Sequence, residues 1–181
     1  MKKLIVFALI LCVSVSAVFA INNFLTVSVS PYAAQFYSSF AGTKRASDYG
    51  FGFKIGYRHF VGSFLVGADV SYQNYRYIVN DNPAILRSAQ LLAKLGGKII
   101  ISEKVDLNAD IGAGVNIGVS RLSTNYNPMI GANVSMSFNT GKNVSVTAGS
   151  DFYVEWSKAK DSEFKSVQWS IVPAIGLEIE L

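Results

Sequence analysis

Hydrophobic and polar residues alternate with a period of two along most of the chain. In the clearest stretch, from Val105 to Val119, every second residue is apolar and the residues between are Asp, Asn or Gly. Successive side chains of a β-strand point to opposite faces, so this pattern predicts a strand with one apolar and one polar face. Seven further segments between positions 25 and 181 alternate in the same way. Most approach the ~9–11 residues with which a tilted strand crosses a bilayer, so the pattern predicts eight strands.

The glycines indicate which of the two faces points inward. Eleven of the 15 glycines fall on the polar face, together with many Ser and Asn residues. A narrow eight-stranded barrel has room inside for small side chains, whereas a water-facing strand would be weakened by so much glycine. We therefore expect an all-β fold, an eight-stranded antiparallel up-and-down transmembrane β-barrel with its apolar face toward lipid. A secreted barrel of the lipocalin type, with the pattern inside out, is the alternative.

The first 20 residues have a different character. Lys2 and Lys3 precede an apolar run from Leu4 to Val15, and small residues stand at Val18 and Ala20. This arrangement predicts a cleaved signal peptide over residues 1–20 and an outer-membrane β-barrel domain over residues 21–181. Lipid attachment at Cys12 is a weaker alternative, because the residue before it is a large Leu.

Composition narrows the function classes. The chain is 50% hydrophobic and only 15% charged, with a net charge of +4 that falls to +2 when Lys2 and Lys3 are removed. The only Cys leaves with the same segment, so the mature chain has no disulfide or thiolate site. The chain has no stripe of basic residues, so we expect no nucleic-acid binding. The sole histidine, His59, falls in a predicted inner turn without a Ser and acidic partner, so we expect no enzyme activity, no metal site and no cofactor.

The connections between the predicted strands differ in length. The odd-numbered links are long and the even-numbered links are short, as in outer-membrane barrels whose termini both lie in the periplasm. The long links are 31–48, 74–86, 120–128 and 157–166, and the short ones are 59–63, 101–104 and 139–143.

Aromatic residues cluster at the predicted strand ends, where Tyr and Trp mark the membrane interfaces. The outer group comprises Tyr49, Tyr72, Trp156 and Trp169, and the inner group comprises Tyr57, Phe64 and Phe138. We expect two aromatic girdles.

Charged residues on the inward face form possible ion pairs. With turns centred near Ser102 and Val61, the register would place three pairs directly opposite each other: Lys94 and Asp110, Lys98 and Asp106, and Lys54 and Asp69. Buried charges of opposite sign on neighbouring strands favour a plugged lumen. A cation-lined pore is the alternative.

The last strand carries a recognisable ending. Gly176 is followed three and five residues later by the hydrophobic Ile179 and Leu181 at the end of the chain. With the predicted architecture, this ending resembles the small OmpA/OmpX-like family of outer-membrane β-barrels. The resemblance implies insertion by the barrel-assembly machinery into the outer membrane of a two-membrane bacterium. The chain departs from the family pattern in ending on Leu rather than an aromatic residue, and in having Ala174 where a polar residue is usual.

The remaining signals lie at the outer surface. Basic residues in the predicted outer loops suggest contacts with outer-membrane lipid phosphates or with an acidic host or cell-surface ligand. They are Lys44, Arg45, Arg76, Arg121, Lys158, Lys160 and Lys165. We expect a structural and surface-interaction role in envelope integrity, adhesion or lipid contact. The alternative is a small pore or transporter for a hydrophobic solute, which an apolar cavity in the upper barrel would favour.

Overall fold

The computed structural model describes residues 22–39, 44–47, 49–79, 82–119, 124–141, 143–158 and 165–181. The predicted signal peptide, Arg121 and Lys160 lie outside the described residues. The strands are β1 (Asn23–Ser30), β2 (Ala34–Ser39), β3 (Lys44–Ala46), β4 (Tyr49–Val61), β5 (Phe64–Val79), β6 (Asn82–Ser102), β7 (Val105–Val119), β8 (Thr124–Asn139), β9 (Val144–Lys158) and β10 (Lys165–Glu180). Within these ranges no helix has the length and apolar character needed to cross a membrane.

Eight of these strands close into an antiparallel barrel. The order is β1-β4-β5-β6-β7-β8-β9-β10, and β10 pairs back onto β1. Starting at Thr26 and moving from each residue to its paired residue on the next strand, one circuit of the barrel ends at Tyr37, which lies eleven residues after Thr26 in the chain. A stagger of this kind requires strands tilted by about 35–45° to the barrel axis. The predicted eight-stranded barrel is confirmed.

The segment 31–48, predicted to be a loop, contains two short strands. β2 continues the direction of β1 and pairs with the outer part of β10, while β3 folds back on β2 and leads into β4. Between Val29 and Ala34 the chain advances five residues while its partner β10 advances four, from Ile175 to Ile171, which is a bulge. Pro31 lies in this bulge, where its missing N–H removes no ladder bond.

The other predicted outer loops are also shorter than expected. β5 runs to Val79 and β6 starts at Asn82, so almost all of the segment 74–86 is strand. β8 starts at Thr124, β9 extends to Lys158, and β10 starts at Lys165. The predicted bounds of these loops are wrong because the alternation with apolar residues stops before the hydrogen-bonded strands do.

The inner turns are tight, as predicted. β4 and β5 are joined by two residues, and the first, Gly62, has a φ of 62°, which a glycine adopts without strain. Two residues also join β6 to β7. His59, expected in the first of these turns, lies instead in β4, with its Nδ1 2.8 Å from Asn23 Oδ1.

The two faces of the barrel are chemically opposite. Along β4, Phe51, Phe53 and Ile55 are exposed, whereas the intervening Gly52 and Lys54 are buried. The apolar face therefore points out of the barrel and the polar face into it, which excludes the lipocalin-type alternative.

Candidate functional site

A layer of ion pairs crosses the middle of the lumen. Lys94 on β6 is the centre, with Nζ 2.5 Å from Asp69 Oδ2 and 3.0 Å from Asp110 Oδ1. Lys54 on β4 places Nζ 2.6 Å from Asp151 Oδ2 on β9. Lys94 Nζ also lies 3.8 Å from Asp151 Oδ1, so these five residues form one connected group. All five are buried.

Arg58 extends this group toward the inner end. Its Nη1 donates to Glu178 Oε2 at 3.0 Å, and its Nη2 lies 3.9 Å from Asp110 Oδ2. We call the seven residues the ionic layer: Lys54, Arg58, Asp69, Lys94, Asp110, Asp151 and Glu178. With every group ionised, three cations face four carboxylates. A buried layer of this kind is costly to break, since an unpaired buried charge is strongly destabilising.

The predicted ion pairs form, but not in the predicted register. The ladders place Lys54 opposite Ser71, Lys94 opposite Gly112 and Lys98 opposite Asn108. Both turns are centred about one residue later than expected, which moves every partner by two positions. The pairs still meet diagonally, with nitrogen–oxygen distances of 3.8 Å for Lys54 and Asp69, 3.0 Å for Lys94 and Asp110, and 3.7 Å for Lys98 and Asp106.

Glycine makes room for the charged side chains. Gly56 stands between Thr26 and Asp69 in one cross-strand row, and a methyl group at Gly56 would clash with Asp69 Oδ1 and Thr26 Oγ1. A side chain at Gly112 would press on Lys94 Cγ. The inward glycines thus allow long charged side chains to fold across their neighbours.

An apolar plug lies on the outer side of the ionic layer. Tyr75, Leu92, Met129, Tyr153 and Val172 point inward, are nearly inaccessible and pack together with Ala33. Leu86 packs against this cluster. The alternation of apolar and polar residues does not predict this plug. The signal that could have revealed it is the presence of large apolar residues, such as Leu92 and Met129, in the polar phase of the alternation.

The inner end of the lumen is closed by aromatic rings. Phe24 and Phe60 meet edge to face with centroids 5.5 Å apart. Lys98 Nζ lies 4.7 Å from the centroid of Phe60 and 5.7 Å from that of Phe24, so its charge is stabilised by both rings as well as by Asp106. Leu65 is fully buried on the same inner part of β5. We call this group the aromatic base.

The outer end of the lumen is polar. Asn116 Nδ2 donates to Glu155 Oε2, and Ser88 Oγ donates to Asn116 Oδ1. Gln35 Nε2 donates to Gln168 Oε1 at 3.1 Å. Among the described residues Glu155 has no cation within ion-pair distance, unlike the carboxylates of the ionic layer.

The aromatic residues predicted to form the girdles lie on the outward face. Tyr49, Phe64, Phe138, Trp156 and Trp169 are exposed on the barrel wall, and Tyr57 and Tyr72 are half-buried there. The Tyr57 hydroxyl donates to Asn23 Oδ1 at 2.6 Å, near the inner end of β1. Their role at the two membrane interfaces stays a prediction.

The residues of the predicted assembly signal close the barrel. Gly176 pairs with Ser28 and Ile179 with Leu25, and Leu181 N donates to Asn23 O at 2.9 Å. A side chain at position 176 would clash with the backbone of Val27. Recognition by the assembly machinery stays a prediction.

The basic residues predicted to lie in outer loops belong to strands wherever the structure describes them. Arg76 lies in β5, and the others lie in or at the ends of strands: Lys44 and Arg45 in β3, Lys158 at the end of β9 and Lys165 at the start of β10. The loop placement is wrong for these five, because the strands extend beyond the apolar alternation. In the described part of the chain no three His, Cys, Asp or Glu side chains are arranged to hold a metal ion.

Comparison with solved structures identifies the fold. Neisserial surface protein A aligns with a TM-score of 0.59 at 16% identity, covering 88% of this chain and 97% of that one. OprG from Pseudomonas aeruginosa aligns at 0.52 and 7% identity, covering 88% and 97%. Ail of Yersinia pestis aligns at 0.46 and 18% identity, covering 88% and 100%. No family model matches the chain, and a search of curated proteins finds no relative either.

The fold and the two opposite faces define a small outer-membrane β-barrel. The chain has the architecture expected from its resemblance to the OmpA/OmpX-like barrels. It is a protein of the outer membrane of a two-membrane bacterium.

Proposed function

We propose that this barrel is a structural and surface-interaction protein, which acts through its outer rim and its wall in envelope integrity, adhesion or lipid contact. The observation that carries the proposal is the filled lumen. The apolar plug, the ionic layer and the aromatic base follow one another along the barrel axis, and a solute moving through the described residues would have to displace all three. The chemistry available to a partner is therefore on the outside of the barrel.

The proposal includes the absence of enzyme activity. Each carboxylate of the ionic layer forms an ion pair with Lys or Arg at 3.0 Å or less, so its role is to stabilise the layer. His59 pairs with Asn23 rather than with a hydroxyl nucleophile and a carboxylate. Neither group is arranged to activate water or a nucleophile.

The second candidate is a transporter for a hydrophobic solute. The apolar plug favours it, because such a solute would find an apolar environment between the outer mouth and the ionic layer. The residues of the plug are packed against one another, however, with accessibilities of 0–3%. A solute would have to replace those contacts, so we place this candidate second.

Two features of biogenesis belong to the proposal. Residues 1–20 direct export and are removed, which leaves residues 21–181 as the barrel. The barrel-assembly machinery then recognises Gly176, Ile179 and Leu181. Support comes from the composition of the first segment and from the position of the last strand at the closing seam of the barrel.

Dye entry into cells separates the two candidates. Cells lacking the protein are compared with wild-type cells and with cells carrying a restored copy, using a fluorescent hydrophobic dye that is excluded by an intact outer membrane. A structural role predicts faster dye entry without the protein and recovery with the restored copy. Slower entry without the protein would contradict the proposal and support the transporter. Unchanged entry and unchanged attachment to host or neighbouring cell surfaces would contradict any envelope or adhesion role.

A further inference from the structure

Two arginines stand together on the lipid-facing wall near the outer end of the barrel. Arg76 on β5 pairs with Ile85, and Arg87 on β6 pairs with Asn74, so the arginines are diagonal neighbours on adjacent strands. Diagonal neighbours on one face are about 7–8 Å apart, which long side chains span easily. Arg87 is exposed and Arg76 half-buried. Two guanidinium groups can therefore approach one small anion from the same side.

The height of this pair above the inner membrane surface follows from the strands. Phe64 is the first residue of β5, and Arg76 is twelve residues farther along; Ile99 and Arg87 are equally far apart on β6. At about 3.3 Å per residue and a tilt of about 40°, twelve residues rise about 30 Å. The apolar band of an outer-membrane barrel is about 25 Å tall. With Phe64 at the inner interface, as its predicted place in the inner girdle requires, the arginines lie just above the hydrocarbon, at the depth of lipid headgroups.

The protein supplies these arginines with no anion of its own among the described residues. No carboxylate there lies within 4.0 Å of either guanidinium. The Arg76 guanidinium carbon lies 5.8 Å from the ring centroid of Tyr49, the residue paired with it on β4. This contact orients one guanidinium against the wall and leaves its edge free to donate hydrogen bonds.

The surroundings of the arginine pair match an amphiphile rather than a soluble anion. On the same outward face, Tyr72 and Ala89 lie below the arginines, and the exposed Ile78 and Ile85 lie beside and above them. Asn74, the residue paired with Arg87, is the polar neighbour on this face. The pair is thus a cationic spot with apolar side chains above and below it. A ligand that places acyl chains along the wall and a phosphate at the top of the apolar band would satisfy both features.

We propose that Arg76 and Arg87 bind the phosphate of a phosphorylated glycolipid in the outer leaflet. Guanidinium groups match phosphate oxygens in bidentate geometry, and contacts at the edge of the hydrocarbon are screened less than those in bulk water. This inference rests on the proposed function, since it assigns lipid contact to one site on the wall.

Native mass spectrometry of the detergent-solubilised barrel tests the site, with bisphosphorylated lipid A and the same lipid stripped of its phosphates as probes. The wild type should retain the phosphorylated lipid at least tenfold more tightly than the stripped one. The R76Q/R87Q variant should lose this preference, whereas Lys104→Gln, which removes one charge at an exposed inner turn, should keep it. Heat-modifiable gel mobility verifies that each variant is folded.

Two results would overturn the site. They are a wild type that does not distinguish the two lipids, and an R76Q/R87Q variant within twofold of the wild type. Either result leaves the dye-entry experiment to decide the proposed function independently.

Discussion

Replacing Lys94 with Met is the most informative perturbation of the ionic layer. Met has nearly the length of Lys but no charge, so the substitution removes the ammonium group and leaves little empty space. The wild-type layer has three cations and four carboxylates, and Lys94→Met leaves two cations. Asp69 then keeps only Lys54 as a cationic partner, at 3.8 Å, and Asp110 keeps only Arg58, at 3.9 Å. Breaking a buried ion pair on one side costs about 3–5 kcal/mol, and we expect a loss of this size.

Urea unfolding in lipid vesicles, followed by Trp fluorescence, measures this loss through the shift of the midpoint at constant slope. The matched control is Lys104→Met at an exposed inner turn, where we expect a change within about 0.5 kcal/mol. Adding Asp110→Asn to Lys94→Met restores the wild-type excess of one carboxylate and should recover at least about 1 kcal/mol. A loss below about 1 kcal/mol for Lys94→Met, or no recovery in the double variant, would refute the account of the layer as a coupled charge network.

Three further predictions test the packing and assembly of the barrel. In Gly114→Ala the new methyl group would clash with the Leu91 carbonyl, so overpacking should cost about 1–3 kcal/mol in the same urea assay. Gly118→Ala on the same strand meets no atom of the described residues within 4 Å and should be neutral or slightly stabilising. Equal effects of the two substitutions would contradict the packing argument. Glu155→Gln should not destabilise the barrel, because it removes a buried charge that has no cation partner among the described residues. Glu178→Gln should cost about 1–3 kcal/mol, because it weakens the 3.0 Å ion pair with Arg58. A larger loss of stability for Glu155→Gln than for Glu178→Gln would be inconsistent with the charge count. Leu181→Ser should lower the fraction of heat-modifiable barrel in cell outer membranes, and an unchanged fraction would remove Leu181 from the assembly signal.

The period of two was sufficient to predict the fold. A strand in a small transmembrane barrel faces lipid on one side and a narrow lumen on the other, so each face requires its own residue types and both faces can be recognised in the sequence. The glycines then separated inside from outside, because Gly56 and Gly112 are needed where charged neighbours cross the lumen.

The same pattern could not predict where the strands end toward the outside. Above the hydrocarbon, outward positions carry Asn74 and Arg76 as readily as apolar residues, although the ladder continues to Val79. The alternation therefore disappears while the hydrogen bonds remain. From the sequence alone, segments of this kind are indistinguishable from loops.

The ionic layer was predicted only in part, because its geometry depends on distant pairing. A difference of one residue in the turn centre moved each partner by two positions, and long side chains absorbed the difference. The 2.6 Å contact between Lys54 and Asp151 joins β4 to β9 across the lumen, and it follows from barrel closure rather than from neighbouring strands. The apolar plug was missed for a simpler reason, since Leu92 and Met129 occupy inward positions that were expected to be polar.

Single-channel recording in a planar bilayer tests the closed lumen most directly. The purified, folded barrel is inserted at low copy number, and current is recorded over a range of voltages with salt on both sides. Because the apolar plug, the ionic layer and the aromatic base fill the lumen in series, we predict no sustained conductance steps in the wild type. Stable, long-lived steps from the folded wild-type barrel would contradict the filled lumen and, with it, the proposal that the protein acts through its outer surface.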